Sequence, residues 1–107
     1  MLEGYLYETV SREEGCATVR LLSDCPIYKA HFPTFPITPG VTLVQIALEL
    51  MGKSLVSAKD IKFVSPVLPS AGGTELRYEW TFKDQGRADV GVFLSDGTLS
   101  AKMILGV

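Results

Sequence analysis

His31-Phe32-Pro33-Thr34-Phe35-Pro36-Ile37-Thr38-Pro39-Gly40-Val41, followed without a break by Thr42-Leu43-Val44-Gln45-Ile46-Ala47-Leu48-Glu49-Leu50-Met51, decides how the rest of the chain is read. The first half holds the only histidine and three prolines spaced by three. Proline fixes φ and steers the residue before it away from the helical region, so this half reads as a rigid extended loop ending at a helix start. From Gly40 to about Lys53 the spacing of Val41, Val44, Leu48 and Met51 predicts a helix. Leu43, Ile46, Ala47 and Leu50 make it apolar almost all round, which in a short chain means that a sheet wraps it. The exception is the row Gln45, Glu49, Lys53, each four residues from the last and so stacked on one side. That row must meet water, a partner or a reactive site. A histidine just before the loop is a candidate acid or base, and the free N–H groups of the helix start are a candidate oxyanion site.

On either side of this stretch the pattern is β. Leu2 to Val10 is rich in Tyr, Thr and Val and reads as a strand, Ser11 to Gly15 as a turn, and Cys16 to Leu22 as the returning strand. The connection from Ser23 to Pro39 carries four prolines and is long for a compact domain, as functional loops often are. After the helix, Asp60 to Val64 reads as a strand, followed by Pro66-Val67-Leu68-Pro69 and a Ser70 to Gly73 turn. Strands are then expected over Thr74 to Phe82, Arg87 to Leu94 and Leu99 to Leu105, with turns at Lys83 to Gly86 and Ser95 to Thr98. The order is β-β-loop-α-β-β-β-β, an α+β chain without repeats, linkers or low-complexity segments.

Composition narrows the function. With 107 residues, one domain over 1–107 is expected. The chain is 47% hydrophobic and 21% charged, as in folded proteins. A net charge of −2, with basic residues spread singly, argues against nucleic acid as a partner. The apolar run from Val41 to Val56 is broken by Gln45, Glu49 and Lys53, so no membrane span is expected. The N-terminus lacks the basic and apolar regions of a signal peptide, which makes a cytoplasmic site the expectation. Cys16 and Cys25 have no metal-ligand spacing, and one histidine does not complete a zinc site with them, so no metal is expected and both cysteines read as reduced thiols.

The run His-Phe-Pro-x-x-Pro-x-x-Pro-Gly-Val before a buried helix, with Lys62-Phe63 and Pro66-Val67 after it, resembles the core motif of the hotdog-fold 3-hydroxyacyl-ACP dehydratases of fatty-acid, polyketide and aryl polyene pathways. The resemblance covers the chain from about Pro26 to its end. It implies a single hotdog domain, an antiparallel sheet wrapped around one long central helix, with two protomers joined edge to edge. It also implies that His31 moves the C2 proton of an acyl thioester and that the Gly40 N–H polarises the thioester carbonyl. Phe32, Pro39 and Val41 then lie along the substrate path, and Phe32, Phe35 and Phe63 read as core or tunnel walls.

The family's second catalytic residue is a Glu or Asp fourteen positions after the histidine, contributed by the partner protomer. Here that position is Gln45, and Glu49 stands one turn later, where many relatives carry glutamine. The amide and the carboxylate have exchanged places on one helix face, and Ala30 replaces the usual glycine before the histidine. Gln45 exchanges no proton at neutral pH but can donate a hydrogen bond to a hydroxyl or a water. The activity implied is elimination of water between C2 and C3 of a 3-hydroxyacyl thioester with no cofactor, catalysed by His31 with Gln45 and Glu49. The implied partners are an acyl carrier protein or a CoA thioester and a homodimer or higher oligomer of dimers, with a paralogous subunit as a further option. Lys29 and Lys62 are candidates for contact with an acidic carrier. Two alternatives stay open: thioester hydrolysis using Glu49, and a non-catalytic acyl-carrier or acyl-chain binding subunit, which the missing carboxylate at 45 favours.

Overall fold

The computed structural model describes residues 1–30 and 37–107; Phe32, Phe35 and the other residues of 31–36 lie outside it. In chain order the elements are β1 (Tyr7–Glu13), β2 (Cys16–Leu21), α1 (Ile27–Ala30), α2 (Gly40–Met51), β3 (Ser57–Phe63), β4 (Thr74–Lys83), β5 (Arg87–Leu94) and β6 (Leu99–Gly106). The six strands form one antiparallel sheet in the order β1-β2-β4-β5-β6-β3. Antiparallel hairpins need only tight turns, and β1–β2, β4–β5 and β5–β6 are joined in this way. The chain that carries α2 instead leads from β2 to β3 at the far edge.

Strand alternation gives the sheet one apolar face. Ala17, Val19 and Leu21 of β2, Leu76 and Tyr78 of β4, Val90 and Val92 of β5, and Ala101, Met103 and Leu105 of β6 are buried in one cluster with Leu43, Ile46, Ala47 and Leu50 of α2. The Tyr78 hydroxyl, fully buried, donates to the Leu43 carbonyl at 2.9 Å and fixes the helix on the sheet. An α+β domain with one helix set into a sheet is the expected fold. The helix is not buried all round: Val41 is 74% exposed and Gln45 is exposed, so the open row begins one turn before Gln45 and runs Val41, Gln45, Glu49.

Several boundaries differ from expectation. The first strand begins at Tyr7 rather than Leu2, because Gly4 takes φ +85° and residues 2–7 close a turn, with Leu6 N–H to Leu2 O at 2.8 Å and Gly4 N–H to Tyr7 O at 2.7 Å. It then runs on to Glu13, pairing Arg12 with Ala17 and Glu13 with Cys16, across a bulge between Thr9 and Ser11. The helix stops at Met51 instead of Lys53, since Gly52 adopts the left-handed φ of 67° that ends it. The strand after the helix starts at Ser57, because Ser57 and Ala58 already pair with Gly106 and Leu105. Within the connection from Ser23 to Pro39, Ile27–Ala30 forms one helical turn.

Candidate active site at the start of the long helix

The loop that carries His31 is held at both described ends. On the near side, the Tyr28 and Lys29 N–H groups donate to Cys25 O and Pro26 O at 3.1 and 3.0 Å. On the far side, Thr38 N–H donates to Val67 O at 2.8 Å, tying the loop's exit to the segment after β3. Across the two sides, the hydroxyls of Tyr28 and Thr38, each 4% exposed, share a hydrogen bond of 2.9 Å. Burial pushes the Tyr28 phenol up, against the opposing effect of Thr38, and keeps it neutral. Of the residues expected to act on substrate, His31 and Phe32 lie outside the described residues.

Pro39 leads into α2 with extended backbone (φ −62°, ψ 137°), and among the described residues no side chain caps the first N–H groups of the helix. Thr42 instead turns back, its hydroxyl donating to Pro39 O at 2.6 Å and its N–H at 3.0 Å. The first turn contains no acidic residue, so the positive end of the helix is uncompensated there. Gly40 lets the Phe63 ring approach closely: a Cβ at this position would lie 2.5 Å from Cζ of Phe63, and that exposed ring would have to move. Phe63 is 53% exposed and ends β3, so it forms a wall at the helix start and is not part of the core. A cavity of about 370 Å³ opens here, lined by Thr38, Gly40, Leu43, Phe63, Val64 and Val67 among others. Pro39 is half-buried and Val41 faces outward.

One turn along, the exchanged pair has a definite geometry. Gln45 Nε2 donates to Glu49 Oε2 at 3.0 Å, which also accepts the Leu2 N–H at 2.8 Å. Glu49 Oε1 accepts the Glu3 N–H at 3.1 Å and the Tyr7 hydroxyl at 2.9 Å. A carboxylate offers about four lone-pair sites, and these four donors occupy them. Partial burial pushes the Glu49 carboxyl up, but the bonds from Leu2, Gln45, Tyr7 and Glu3 outweigh it and hold the group below its ordinary value. The opposite holds for Tyr7: burial, then the Glu49 bond and charge, raise its phenol. Lys53 does not continue this row by pairing with Glu49; its Nζ lies over the Phe82 ring, 5.5 Å from the centroid.

Sequence reasoning set Gly40 at the helix start and Gln45, Glu49 and Lys53 in one row; in the structure Gln45 and Glu49 share that row, while Lys53 lies beyond the end of the helix. That reasoning missed the tie from Glu49 to the N-terminal turn, which joins residues up to 47 apart in sequence and leaves no local signal. The Tyr28–Thr38 bond was also missed, although two hydroxyl residues bracketing a proline-rich loop could have suggested it. Among the described residues, no group of three or more His, Cys, Asp or Glu side chains is placed to hold a metal ion, and no helix is long and apolar enough to cross a membrane.

A six-stranded antiparallel sheet packed on one long helix, with a proline-glycine helix start beside a cavity, defines a hotdog protein. Over residues 8–96 the sequence matches the ApeI-like family, described as ApeI dehydratase, and the chain belongs to that family. Its fold is similar to that of the dehydratase domain of MlnD from Bacillus amyloliquefaciens, with a TM-score of 0.67 and 17% identity over 96% of this chain. The chain spans 42% of that domain. It is also similar to the PaaI protein of the phenylacetic acid degradation operon of E. coli (TM-score 0.61, 14% identity, 97% of this chain and 83% of that one). A hypothetical thioesterase from Streptococcus pneumoniae is a third likeness (TM-score 0.60, 12% identity, 92% and 86%). No curated protein matches the chain by sequence.

Proposed function

We propose that this protein interconverts 3-hydroxyacyl and 2-enoyl thioesters by elimination and addition of water, with residues 1–107 acting as one hotdog domain in the cytoplasm. The observation that carries this reading is the helix start: an uncapped N-terminal turn at Gly40, beside an apolar cavity walled by Phe63. A thioester carbonyl oxygen directed at the Gly40 N–H gains a hydrogen bond as negative charge develops on it, which acidifies the C2 proton. His31 takes that proton. The C3–O bond then breaks as the C2=C3 double bond forms, and the imidazolium returns the proton to the departing hydroxyl, so water leaves from the same face. Gln45 transfers no proton in this scheme; it donates a hydrogen bond to the C3 hydroxyl. Glu49, with its lone pairs engaged, is a positioning residue that orients Gln45 rather than a base.

Where the parts of the site come from follows from the open surfaces. The Val41, Gln45, Glu49 row and the outer edge of β3 are left uncovered by the described residues, and a second copy paired along β3 would extend the sheet across a two-fold axis. The acyl group is delivered as a carrier-protein or CoA thioester, with exposed Lys29 and Lys62 available to an acidic carrier. A second reading, a non-catalytic acyl-binding subunit, is favoured by one observation: no unengaged carboxylate stands on the open row of α2.

The deciding experiment incubates the protein with 3-hydroxyacyl, 2-enoyl and saturated acyl thioesters of one chain length. Interconversion of the first two without thiol release is the expected result. Thiol release from the saturated thioester identifies hydrolysis instead, and tight binding without turnover identifies the acyl-binding subunit.

A further inference from the structure

From the bulge in the edge strand β3, we propose that this strand pairs with β3 of a second copy in one register, Lys59 opposite Asp60 and Val56 opposite Phe63, so that the second copy backs the wall of the cavity at the helix start. The inference rests on the reading that two copies join along this edge, and adds to it which residues meet.

Directly opposed residues of an antiparallel pair share a face of the sheet. Ala58, Ile61 and Phe63 oppose Leu105, Met103 and Ala101 of β6, all three in the core, and so stand on the helix side. Asp60 and Lys62 oppose Ile104 and Lys102 and stand on the outer side. The register shifts between Ala58 and Asp60, where two residues of β3 meet one of β6, and exposed Lys59 joins Asp60 on the outer side. The faces before and after this bulge are therefore out of step, and a regular strand laid along the edge would match only one part of it. A strand with the same bulge, run antiparallel about a two-fold axis at Lys59 and Asp60, matches throughout: Ala58 meets Ile61 on the helix side, Ser57 meets Lys62 on the outer side, and Lys59 meets Asp60 twice. Shifting the register by one or two residues in either direction opposes side chains of different faces.

The chemistry of the pairs agrees with the faces. Opposite charges directly across a sheet attract, and exposed Lys59 and Asp60 supply two such pairs at the axis. Exposed apolar side chains are gathered at the two ends of the strand, Leu55 and Val56 (78% exposed) before it, Phe63 and Val64 at its end. The same register carries Val56 to Phe63 and Leu55 to Val64, so each end covers the other. Phe63 is the ring that walls the cavity at Gly40. The opposite edge of the sheet, β1, also has a bulge, between Thr9 and Ser11. There the corresponding register sets Glu8 of each copy against Glu13 of the other, and like charges directly opposite repel. Charge thus selects β3 and leaves β1 as the guarded edge.

Sedimentation and oxidative cross-linking of the full chain test this register without recourse to turnover. The parent is expected to sediment as a dimer at micromolar concentration. Lys59→Glu and Asp60→Lys each put like charges opposite one another at the axis and are expected to raise the dimer Kd by about tenfold. An equal mixture of the two variants is expected to recover the dimer, because each supplies the charge that the other needs. That recovery separates contact between copies from contact between neighbours in one chain. Ser57→Cys combined with Lys62→Cys is expected to give, on oxidation, a covalent dimer that the parent does not form, whereas Ser57→Cys combined with Asp60→Cys is not. Val56→Ala is expected to shift the NMR signals of the Phe63 ring, although the two residues stand about 20 Å apart along one strand. A dimer that ignores both charge variants, or that cross-links through the second cysteine pair and not the first, overturns the register while leaving the pairing along β3 in place. A monomer at every concentration overturns both. Absence of thioester turnover in the parent bears on the proposed reaction and touches neither.

Discussion

The two ends of α2 are built to opposite specifications. At the C-terminal end the last carbonyls of the helix are closed by hydrogen bonds. Gly52 takes the left-handed conformation, Gly52 N–H and Lys53 N–H return to Glu49 O and Leu48 O at 3.2 and 3.0 Å, and Arg12 of β1 donates to the Leu50 carbonyl. Glu49 accepts three further hydrogen bonds, from Leu2, Glu3 and Tyr7, that hold the N-terminal turn against the same end, and a fourth from Gln45 within the helix. The N-terminal end has no side-chain cap among the described residues, no acidic residue in its first turn, a glycine where a Cβ would meet Phe63, and a cavity beside it. One end is saturated and anchors the fold; the other is left with donors to offer. The carboxylate that the resemblance assigns to chemistry belongs, in this geometry, to the anchoring end.

The strongest way to break that division is at the open end. His31→Ala is expected to reduce turnover by about 10²–10⁴-fold with the melting temperature unchanged, the effect of removing a positioned acid-base group. Full turnover in that variant removes His31 from the mechanism, and partial unfolding detected by circular dichroism makes it a structural residue instead.

Exchanging the helix pair tests whether anchoring and chemistry compete for one side chain. Gln45→Glu combined with Glu49→Gln places a carboxylate on the turn nearer Gly40 and removes the like charge four residues away that would raise its pKa. Dehydration rate should rise by about tenfold or more relative to the parent on one substrate, a change of about 1.4 kcal/mol in the barrier. Melting temperature should fall, because an amide at 49 cannot accept all four donors. If the parent already dehydrates efficiently and Glu49→Gln leaves its rate unaltered, the exchange has no bearing on catalysis.

The anchoring end by itself should respond in stability more than in turnover. Glu49→Ala leaves the buried Tyr7 hydroxyl and two backbone N–H groups without their acceptor, and about 1.5–3 kcal/mol is expected from denaturant unfolding, as for hydrogen bonds to charged groups. The pH dependence has a defined sign. The folded-state pKa of Glu49 is lowered, so its contribution is present above the unfolded value and is lost as pH falls through the folded one. Acid unfolding of the parent should therefore be steeper below the ordinary carboxyl range than that of Glu49→Gln. Parallel curves for the two proteins would show that the carboxylate does not hold the N-terminal turn.

The smallest effect lies outside both ends. Lys29 and Lys62 are exposed, and if they steer an acidic carrier, raising salt should weaken carrier binding by a few-fold, and Lys62→Ala should flatten that dependence. Binding that is indifferent to salt removes charge from carrier recognition.

The sequence by itself determined the parts whose signals are short-range. The apolar period of α2, the turns between β4, β5 and β6, the alternation of those strands and the proline-glycine helix start all depend on neighbours within a few residues, and each is found where it was expected. The motif around Gly40 also gave the family. Only the tertiary structure decided the use of particular side chains. Glu49 reads from sequence as a helix-face carboxylate with Lys53 as its neighbour; packing brings Leu2, Glu3 and Tyr7 to it across 42 to 47 residues, and Lys53 goes to Phe82. The first strand loses its opening residues to a turn for the same reason, because the N–H groups of Leu2 and Glu3 find an acceptor on the helix instead of on a strand. Phe63 against Gly40 and Tyr28 against Thr38 are likewise contacts between separate segments. Periodicity records which face of an element is buried, whereas the pairing of a polar atom depends on what the folded chain brings within about 3 Å of it.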